Sequence, residues 1–328
     1  MTHKAQHTDA TLHAFEVSKV PPRRTMRFRP DHVTFGRHET FHLRFGWIAK
    51  GLNALKQDPA IFSREDATVD LGVGKNMVSS MRYWLQAAQL VRPLPDGRGY
   101  AETKLARVAF GEEGDPFFED DATIWLIHWL LASNPTGATT IYWFFNHFHK
   151  PAFSADEVSA TLSNYVRREA AKRTSPTTLA RDVTMLLRMY TRTASSSRIA
   201  LEDTLDSPLS LLDLLHRVDA HHLSCTPESR YDLPLPVFTF AISEVLGQLN
   251  SPHVAIQDLM YSDANHCAPG AVFRMTEEGL MHKIEELCEL SPSDFRFDRT
   301  AGVYQLYSFR STDPLEHFRD RHNRRVAA

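Results

Sequence analysis

The sequence of 328 residues is poor in cysteine and has neither a long apolar run nor an excess of charge of one sign. Its three cysteines, Cys225, Cys267 and Cys288, are widely separated, which excludes a disulfide framework and a clustered zinc site and is typical of a reducing compartment. The longest apolar run, "IWLIHWLLA", is too short to span a bilayer, and the first residues lack the apolar core of a signal peptide. We therefore expect a cytoplasmic protein that does not act in a membrane.

A formal net charge of -3 excludes a general attraction to nucleic acid, although local clusters of positive charge exist. The length predicts more than one compact unit. We predict a flexible basic arm over 1–30, an N-terminal winged-helix DNA-binding domain over 31–112, a helical middle domain over 113–205 and a C-terminal winged-helix-like domain over 206–328. The predicted fold class is mainly α with small β-hairpins, an α+β arrangement in which winged-helix-type modules flank a helical middle region.

The predicted basic arm ends in "KVPPRRTMRFRP", where positive charges stand among prolines that discourage a helix. Arg24 and Arg27 are candidates for contacts with DNA phosphates. A solvated tail without a role explains the same composition equally well.

The order of elements after this arm is typical of a winged helix-turn-helix. "GWIAKGLNALKQ" predicts a helix, and Ser63 with Asp66 forms a capping-box pattern for a short second helix. The glycines of "GVGKN" permit a sharp reversal, and the next helix is predicted from Lys75 to Val91. "RPLPDGRGY" then contains the Asp-Gly turn of a β-hairpin.

The third of these helices is predicted to have a polar face with residue types that suit DNA: Lys75, Asn76, Ser79, Ser80, Arg82, Tyr83 and Gln86. In helix-turn-helix proteins the second helix of the pair enters the major groove with its early residues facing the bases, which here are Lys75, Asn76, Ser79 and Arg82. Lysine and arginine donate to guanine or phosphate, asparagine pairs with adenine and serine reaches phosphate oxygens. Arg98, next to the hairpin turn, is a further candidate. The alternative is a winged helix that holds another protein or serves only as a scaffold.

The predicted middle domain contains the most basic stretch of the chain. The aromatic residues of "TTIYWFFNHFH" are expected in the core and not as a base-stacking platform. Two further helices are predicted to meet at "TSP", and their basic residues either extend a phosphate track or are solvated or paired with acids. These residues are Arg167, Arg168, Lys172, Arg173, Arg181, Arg188 and Arg192.

The predicted C-terminal domain combines one helix with a hairpin. Leu280, Ile284, Leu287 and Leu290 recur at helical spacing and predict an apolar stripe. "FRF" and "VYQLYSF" then predict two paired strands.

The segment "FGRHETFHLRFGW" satisfies the H-E-x-x-H pattern of zinc metalloproteases. That pattern requires both histidines on one face of a helix, with the glutamate beside the metal-bound water. Here glycines flank the motif, and apolar residues alternate with His42 and Arg44 as in an extended segment, which would keep His38 and His42 too far apart to share an ion. We therefore predict no metal ligands here and a polar cluster of His38, Glu39 and Arg44.

A second pattern concerns nucleases. Pro95-Asp96 followed by Glu102-Thr103-Lys104 is similar to the P-D…E-x-K arrangement of magnesium-dependent nucleases, although the spacing is short and Asp96 is already explained by the turn.

Several blocks, in this order, give the chain a family resemblance: "FGRHETFHLRFGWIAKG", "DPAIF", "DLGVGKNMVSSMRYWLQAAQLV", "YWFFNHF", "APGAVFRM" and "AGVYQL". Together they resemble the SspB family, a domain-of-unknown-function group of the Ssp DNA phosphorothioation systems, over residues 35 to about 306. The family pattern HETF-x-x-R matches His38, Glu39, Thr40, Phe41 and Arg44 and leaves the position of His42 free. Ala268 stands where the family often has serine before Pro-Gly.

This resemblance implies a component of a bacterial antiviral DNA-modification system. Its expected partners are double-stranded DNA and the other Ssp proteins, namely a cysteine desulfurase, an ATPase and a sulfur-transfer enzyme. Members similar to this chain are described as DNA-nicking proteins, so an endonuclease that nicks one strand before sulfur insertion is implied. His38, Glu39 and Arg44 are the candidate catalytic residues, and Mg²⁺ or another divalent metal would be needed only for nicking.

Two alternatives stay open beside nicking. His38 and Glu39 can instead form a buried, hydrogen-bonded brace under the winged helix. The protein can also be a non-catalytic DNA-binding adaptor or a transcriptional regulator, and a regulator is expected to be a homodimer because two-fold operators match dimers.

Overall fold

The computed structural model describes residues 26–112, 114–192, 207–302, 304–309, 313–316 and 318. The helices are α1 (Trp47–Gln57), α2 (Ala67–Leu71), α3 (Lys75–Ala87), α4 (Lys104–Phe110), α5 (Asp121–Ala132), α6 (Thr139–His147), α7 (Ala155–Glu169), α8 (Pro176–Tyr190), α9 (Leu235–Leu249), α10 (Ile256–Met260), α11 (Pro269–Val272) and α12 (Glu277–Leu290). The strands are β1 (Val91–Pro93), β2 (Tyr100–Glu102), β3 (Ala152–Ser154), β4 (His216–Arg217), β5 (His222–Ser224), β6 (His253–Ala255), β7 (Phe295–Asp298) and β8 (Gln305–Ser308).

Helices dominate these ranges, and the strands form small antiparallel sheets in the orders β1-β2, β3-β5-β4 and β6-β8-β7. The predicted α+β class, mainly α with small hairpins, is therefore confirmed. The winged-helix description of its parts stays a prediction. Within the described residues, no helix has both the length and the apolar character that crossing a bilayer requires.

The N-terminal unit contains the predicted series of helices and hairpin. The apolar stripe of α3 is buried as expected, with Val78, Met81 and Leu85 at most 5% exposed. Gly72 ends α2 in the left-handed conformation, at φ 59°, which allows the chain to reverse into α3. α3 is shorter than predicted, because Gln89 adopts a positive φ of 57° and the chain turns before Val91.

The predicted capping box at the start of α2 is wrong. The helix begins at Ala67, and its N-cap residue Asp66 makes no side-chain hydrogen bond to the helix backbone. Its carboxylate is instead bound by the guanidinium of Arg64. A charged neighbour offers the carboxylate a stronger, charge-assisted hydrogen bond than a backbone amide does.

The aromatic residues around α5 and α6 form the centre of the core. Tyr142, Trp143, Phe144, Phe145 and Phe148 are at most 5% exposed, so the prediction that they are core residues is confirmed. The side chain of Asp120 caps the N-terminus of α5 by accepting from the backbone N–H of Ala122.

The next sheet joins parts of the chain that are far apart in sequence. β3 directly precedes α7, and it pairs with β5, which follows α8 and the predicted boundary at 205. Ser175 caps α8 and Pro176 is its first residue, as predicted from "TSP".

The C-terminal part contains the predicted helix α12 and the β7-β8 hairpin. Leu280, Ile284 and Leu287 are buried, but Leu290, the last residue of α12, is 68% exposed. The stripe therefore extends beyond the core at this end, and the prediction for Leu290 is wrong.

Candidate nucleic-acid interface

The outer face of α3 is polar and positively charged. Lys75 and Asn76 are exposed in its first turn, and Ser79 and Arg82 are half-buried further along. The positions 75, 79, 82 and 86 lie on one side of a helix, because they are spaced by four, three and four residues. This face ends at the exposed Gln86, and α3 contains no acidic residue. The structure thus brings together the four residues that the sequence selected on this helix.

In the described part of the chain, no carboxylate forms an ion pair with the positive charges of this face. Among the residues that the structure describes, neither Lys75 nor Arg82 takes part in an ion pair. Asp70, the acidic residue closest to Lys75 in sequence, already lies within ion-pair distance of Arg64. Arg64 also pairs with Asp58. The face is therefore available for an external anion.

Ser80 was expected on this outer face and is instead fully buried. Its hydroxyl donates to the carbonyl oxygen of Phe41 at 3.3 Å, and the indole Nε1 of Trp84 donates to the same oxygen at 3.0 Å. The chain around Phe41 therefore covers a part of α3 that the spacing of its apolar residues alone predicts to be exposed to solvent.

The β1-β2 hairpin follows α3 and carries two exposed arginines, Arg92 and Arg98. The turn forms as predicted: Gly97 has a φ of 71°, and the carboxylate of Asp96 accepts from the backbone N–H of Arg98 at 3.0 Å. Lys104, in the nuclease-like pattern, forms an ion pair with Asp313. Asp96 is therefore bound within its own turn, whereas Lys104 pairs with a residue 209 positions away in the chain, and the two do not share a site.

The H-E-x-x-H segment is a turn and not a helix. Glu39 and Thr40 have positive φ values of 47° and 66°, and the N–H of Phe41 donates to the carbonyl of His38. The two histidine rings have different partners, because His38 pairs with Asp182 while Nδ1 of His42 lies 3.1 Å from the carbonyl oxygen of Leu43. As predicted, this stretch is not a helix, but its first part is a turn and not the extended segment that the alternation of residues indicates.

The partner of His38 is a residue that the sequence analysis missed. Nε2 of His38 lies 2.8 Å from Oδ1 of Asp182 on α8, and both side chains are less than 5% exposed. The Asp182 carboxylate also accepts from the N–H of Gly36 at 2.9 Å and from the hydroxyl of Thr140 at 3.1 Å. No local pattern could identify Asp182, because it is 144 residues away from His38 in the chain.

The polar cluster predicted for His38, Glu39 and Arg44 is not formed. Within the described residues, no hydrogen bond or ion pair joins Glu39 to either of the other two. Glu39 is exposed, and the guanidinium of Arg44 lies over the rings of Phe41 and Trp47 at 5.8 and 5.7 Å. The turn directs Glu39 to solvent, and the aromatic faces attract the Arg44 cation.

The segment 36–41 therefore contacts two helices, and we refer to it as the joint. Its Gly36 and His38 bind Asp182 on α8, and its Phe41 binds Trp84 on α3. His38, which is bound to Asp182 on α8, also lies beside Tyr83 on α3, with the two ring centroids 6.5 Å apart. Burial and the negative charge of Asp182 raise the pKa of Tyr83. The joint therefore links α3 to α8.

Two other site predictions concern the basic arm and metal binding. Arg27 is exposed, whereas Arg24 lies outside the described residues. Among the residues with described positions, no group of three or more His, Cys, Asp or Glu side chains is placed to hold a metal ion. The described residues therefore do not provide the group of oxygen ligands that a preformed magnesium site needs.

Comparisons with known proteins give a consistent result. The model of a family described as "Protein of unknown function (DUF4007)" matches residues 35–318. Two solved structures, an SspB crystal structure and a magnesium ion-bound SspB crystal structure, are each 26% identical in sequence to this chain, with a TM-score of 0.78. In both cases the match covers 91% of this chain and 89% of the other. No curated protein matches the chain.

Proposed function

Because the chain belongs to the DUF4007 family and is SspB-like over nearly its whole length, we propose that it is the DNA-binding component of a DNA phosphorothioation system. Its partners are double-stranded DNA and the other Ssp modification proteins, which are a cysteine desulfurase, an ATPase and a sulfur-transfer enzyme. A role as a DNA-binding adaptor or regulator, monomeric or dimeric, uses the same surface.

The observation that carries this proposal is the outer face of α3. Lys75 and Arg82 are cations without a protein partner in the described residues, and Asn76 between them has the amide that pairs with adenine. In a helix-turn-helix arrangement this face enters the major groove, while Arg98 on the following hairpin reaches the backbone. Arg27, and Arg24 before it, supply further phosphate contacts from the arm.

Replacing both Lys75 and Arg82 with alanine is expected to weaken duplex binding similarly for all sequences. The slope of log K against log salt should fall by about 2, since each lost phosphate contact removes about 0.9. Fluorescence anisotropy with a labelled duplex between about 50 and 200 mM KCl measures both quantities.

The matched control removes two positive charges from another helix of the same unit. In Lys50→Ala/Lys56→Ala both changes are at exposed positions of α1, where Lys56 lies 4.0 Å from Glu112, and the wild-type slope is expected. An equal fall in both double variants, or no binding by the intact chain at low salt, would refute DNA binding through α3.

Strand nicking is a second candidate function, favoured by the similarity to a magnesium ion-bound SspB. Of the residues proposed for catalysis, Glu39 and Arg44 can be reached by a DNA phosphate, because Glu39 is exposed and Arg44 is half-buried. His38 is 2% exposed, so we assign it the role of positioning the turn that carries Glu39. Since no described group fits a magnesium site, we assign no residue to the metal.

If the chain nicks DNA, Glu39→Gln should reduce nicking of supercoiled plasmid by about 10²-fold or more, the usual contribution of one acid-base group. Duplex binding should be unchanged. The control is Glu65→Gln, another exposed acid in the same unit without an ion pair in the described residues. The assay is run with Mg²⁺ and with a chelator. Nicking that persists in Glu39→Gln excludes this residue, and an intact chain that binds but never cuts is an adaptor or regulator.

A further inference from the structure

Two later parts of the chain repeat one order of elements. The first is α6, β3, α7, α8, β4 and β5, with the sheet order β3-β5-β4. The second is α9, β6, α10, α11, α12, β7 and β8, with the sheet order β6-β8-β7. In both, a helix and a strand precede a set of helices, and the final hairpin pairs with that first strand. In the first unit α7 and α8 are the helix pair. α8 therefore has the position of the second helix of a helix-turn-helix, which is the one that enters the major groove.

The exposed side of α8 suits a polyanion. Thr177, Arg181, Thr184 and Arg188 are all exposed, and they are spaced by four, three and four residues, so they share one face. Neither arginine of this face has an ion pair among the residues that the structure describes. The acid of α8, Asp182, points to the opposite side and is buried against the joint. The face therefore has a net positive charge.

The corresponding helix of the second unit serves as an internal contrast. α12, "EEGLMHKIEELCEL", carries five glutamates, and its lysine, Lys283, is buried and paired with Glu286. This helix would repel a phosphate backbone. The shared topology alone therefore does not predict DNA contact, and the charge on the outer face distinguishes α8 from α12.

The β4-β5 hairpin places Arg217 beside α8, while the carboxylate of Asp219 in its turn accepts from the backbone N–H groups of His221 and His222. A cleft of about 460 Å³ lies between the hairpin and α8, lined by Thr184 and Arg188 from the helix and by Arg217 and His221 from the hairpin. A carboxylate, that of Asp156, also lines the cleft. Three arginines line the cleft, Arg188, Arg192 and Arg217, and Arg192 is paired with Asp213. The other two outnumber the single lining acid, so the cleft favours an anion.

We propose that the exposed face of α8 and the β4-β5 hairpin form a second surface for the phosphate backbone of duplex DNA, separate from the face of α3. Arg181 and Arg188 contact phosphates along the helix, and the cleft with Arg217 receives a phosphate next to the hairpin. This proposal rests on the proposed function, since it assigns more of the same ligand to the chain. The joint links α8 to α3 through its hydrogen bonds, so both surfaces belong to one connected part of the fold.

The test is the salt dependence of duplex binding by the full-length variant Arg181→Ala/Arg188→Ala. The slope of log K against log salt is expected to fall by about 2, and affinity at 100 mM KCl should fall about 10-fold or more. The lysine variant Arg181→Lys/Arg188→Lys keeps the charges and should retain most of the slope. Both arginines are exposed and without ion pairs in the described residues, so the melting temperature should not change.

The matched control is Arg167→Ala/Arg168→Ala on α7. It removes the same charge from the neighbouring helix, where Arg168 is bound to Glu169 and Arg167 to Asn164. The wild-type slope is expected. A wild-type slope in Arg181→Ala/Arg188→Ala, or an equal loss in the control, overturns the second surface while DNA binding through α3 stands. Absence of binding by the intact chain would instead refute the proposed function itself.

Discussion

Replacing Asp182 with alanine is expected to lower the free energy of unfolding by about 3–5 kcal/mol, as when one partner of a buried pair is removed. The carboxylate is almost fully buried and serves three donors, the N–H of Gly36, the ring of His38 and the hydroxyl of Thr140. Without it these groups stay inside the protein unsatisfied, at about 1–3 kcal/mol each before relaxation. Urea denaturation followed by circular dichroism measures the loss.

Two variants of α8 provide the comparison for Asp182→Ala. Asp182→Asn keeps one acceptor oxygen and should cost less than the alanine variant. Thr184→Ala removes an exposed hydroxyl that bonds only to Ala180 of its own helix, so its effect should stay within about 0.5 kcal/mol. If Asp182→Ala costs no more than Thr184→Ala, the joint does not hold α8.

Asp182→Ala should also show how the arrangement of the helices affects DNA binding when no DNA-contacting residue is changed. Asp182 lies on the buried side of α8 and cannot touch a ligand on the exposed side, so Asp182→Ala leaves the positive charges of both surfaces in place. Its effect on binding can only come from a change in the arrangement of α3 and α8. A double-mutant cycle with His38→Ala measures how much of the loss belongs to that pair, since contacting residues couple by about 0.5–3 kcal/mol.

The parts of the fold that depend on local patterns could be predicted from the sequence. The start of α3, its buried stripe and the Asp96-Gly97 turn follow from residues close together in the chain. The cap of α2 could not be predicted in the same way. Asp66 fits the local pattern, but Arg64 binds its carboxylate more strongly than the backbone does.

The parts that failed depend on contacts between distant segments. Ser80 is polar and was expected in solvent, yet the chain at Phe41 covers it. His38 was expected beside Glu39, yet its partner Asp182 comes from α8, which packs against the joint only in the folded chain. Periodicity describes one element at a time, so it contains no information on which element covers which.

The exposed basic face of α8 could in part be predicted from the sequence. The stretch from Arg167 to Arg192 was recognised as the most basic, with a phosphate track and solvated or paired charges as its two interpretations. In the structure each interpretation applies to some of these residues. Arg168 and Arg192 are paired with acids, while Arg181 and Arg188 share an exposed face. The spacing of positions 177, 181, 184 and 188 was visible in the sequence, but the pairing of the other arginines was not.

Combining Lys75→Ala and Arg82→Ala with Arg181→Ala and Arg188→Ala is expected to weaken duplex binding by about 10³-fold near 100 mM KCl. Four phosphate contacts at about 1 kcal/mol each give about 4 kcal/mol, and about 1.4 kcal/mol corresponds to a factor of ten. The salt slope should fall by about 3.6 in total. Anisotropy titrations of the two double variants and the quadruple variant, with one labelled duplex, measure these values.

The pattern of these losses determines how the two surfaces act. If both contact the same duplex at once, each double variant loses its own share, and the logarithms of the two losses add up to that of the quadruple variant. If each surface binds a duplex independently, either double variant still binds through the other surface, and a large loss appears only in the quadruple variant. A quadruple variant no weaker than Lys75→Ala/Arg82→Ala would leave α3 as the DNA-binding surface and exclude α8. Because the joint holds the two helices together, we expect the additive result.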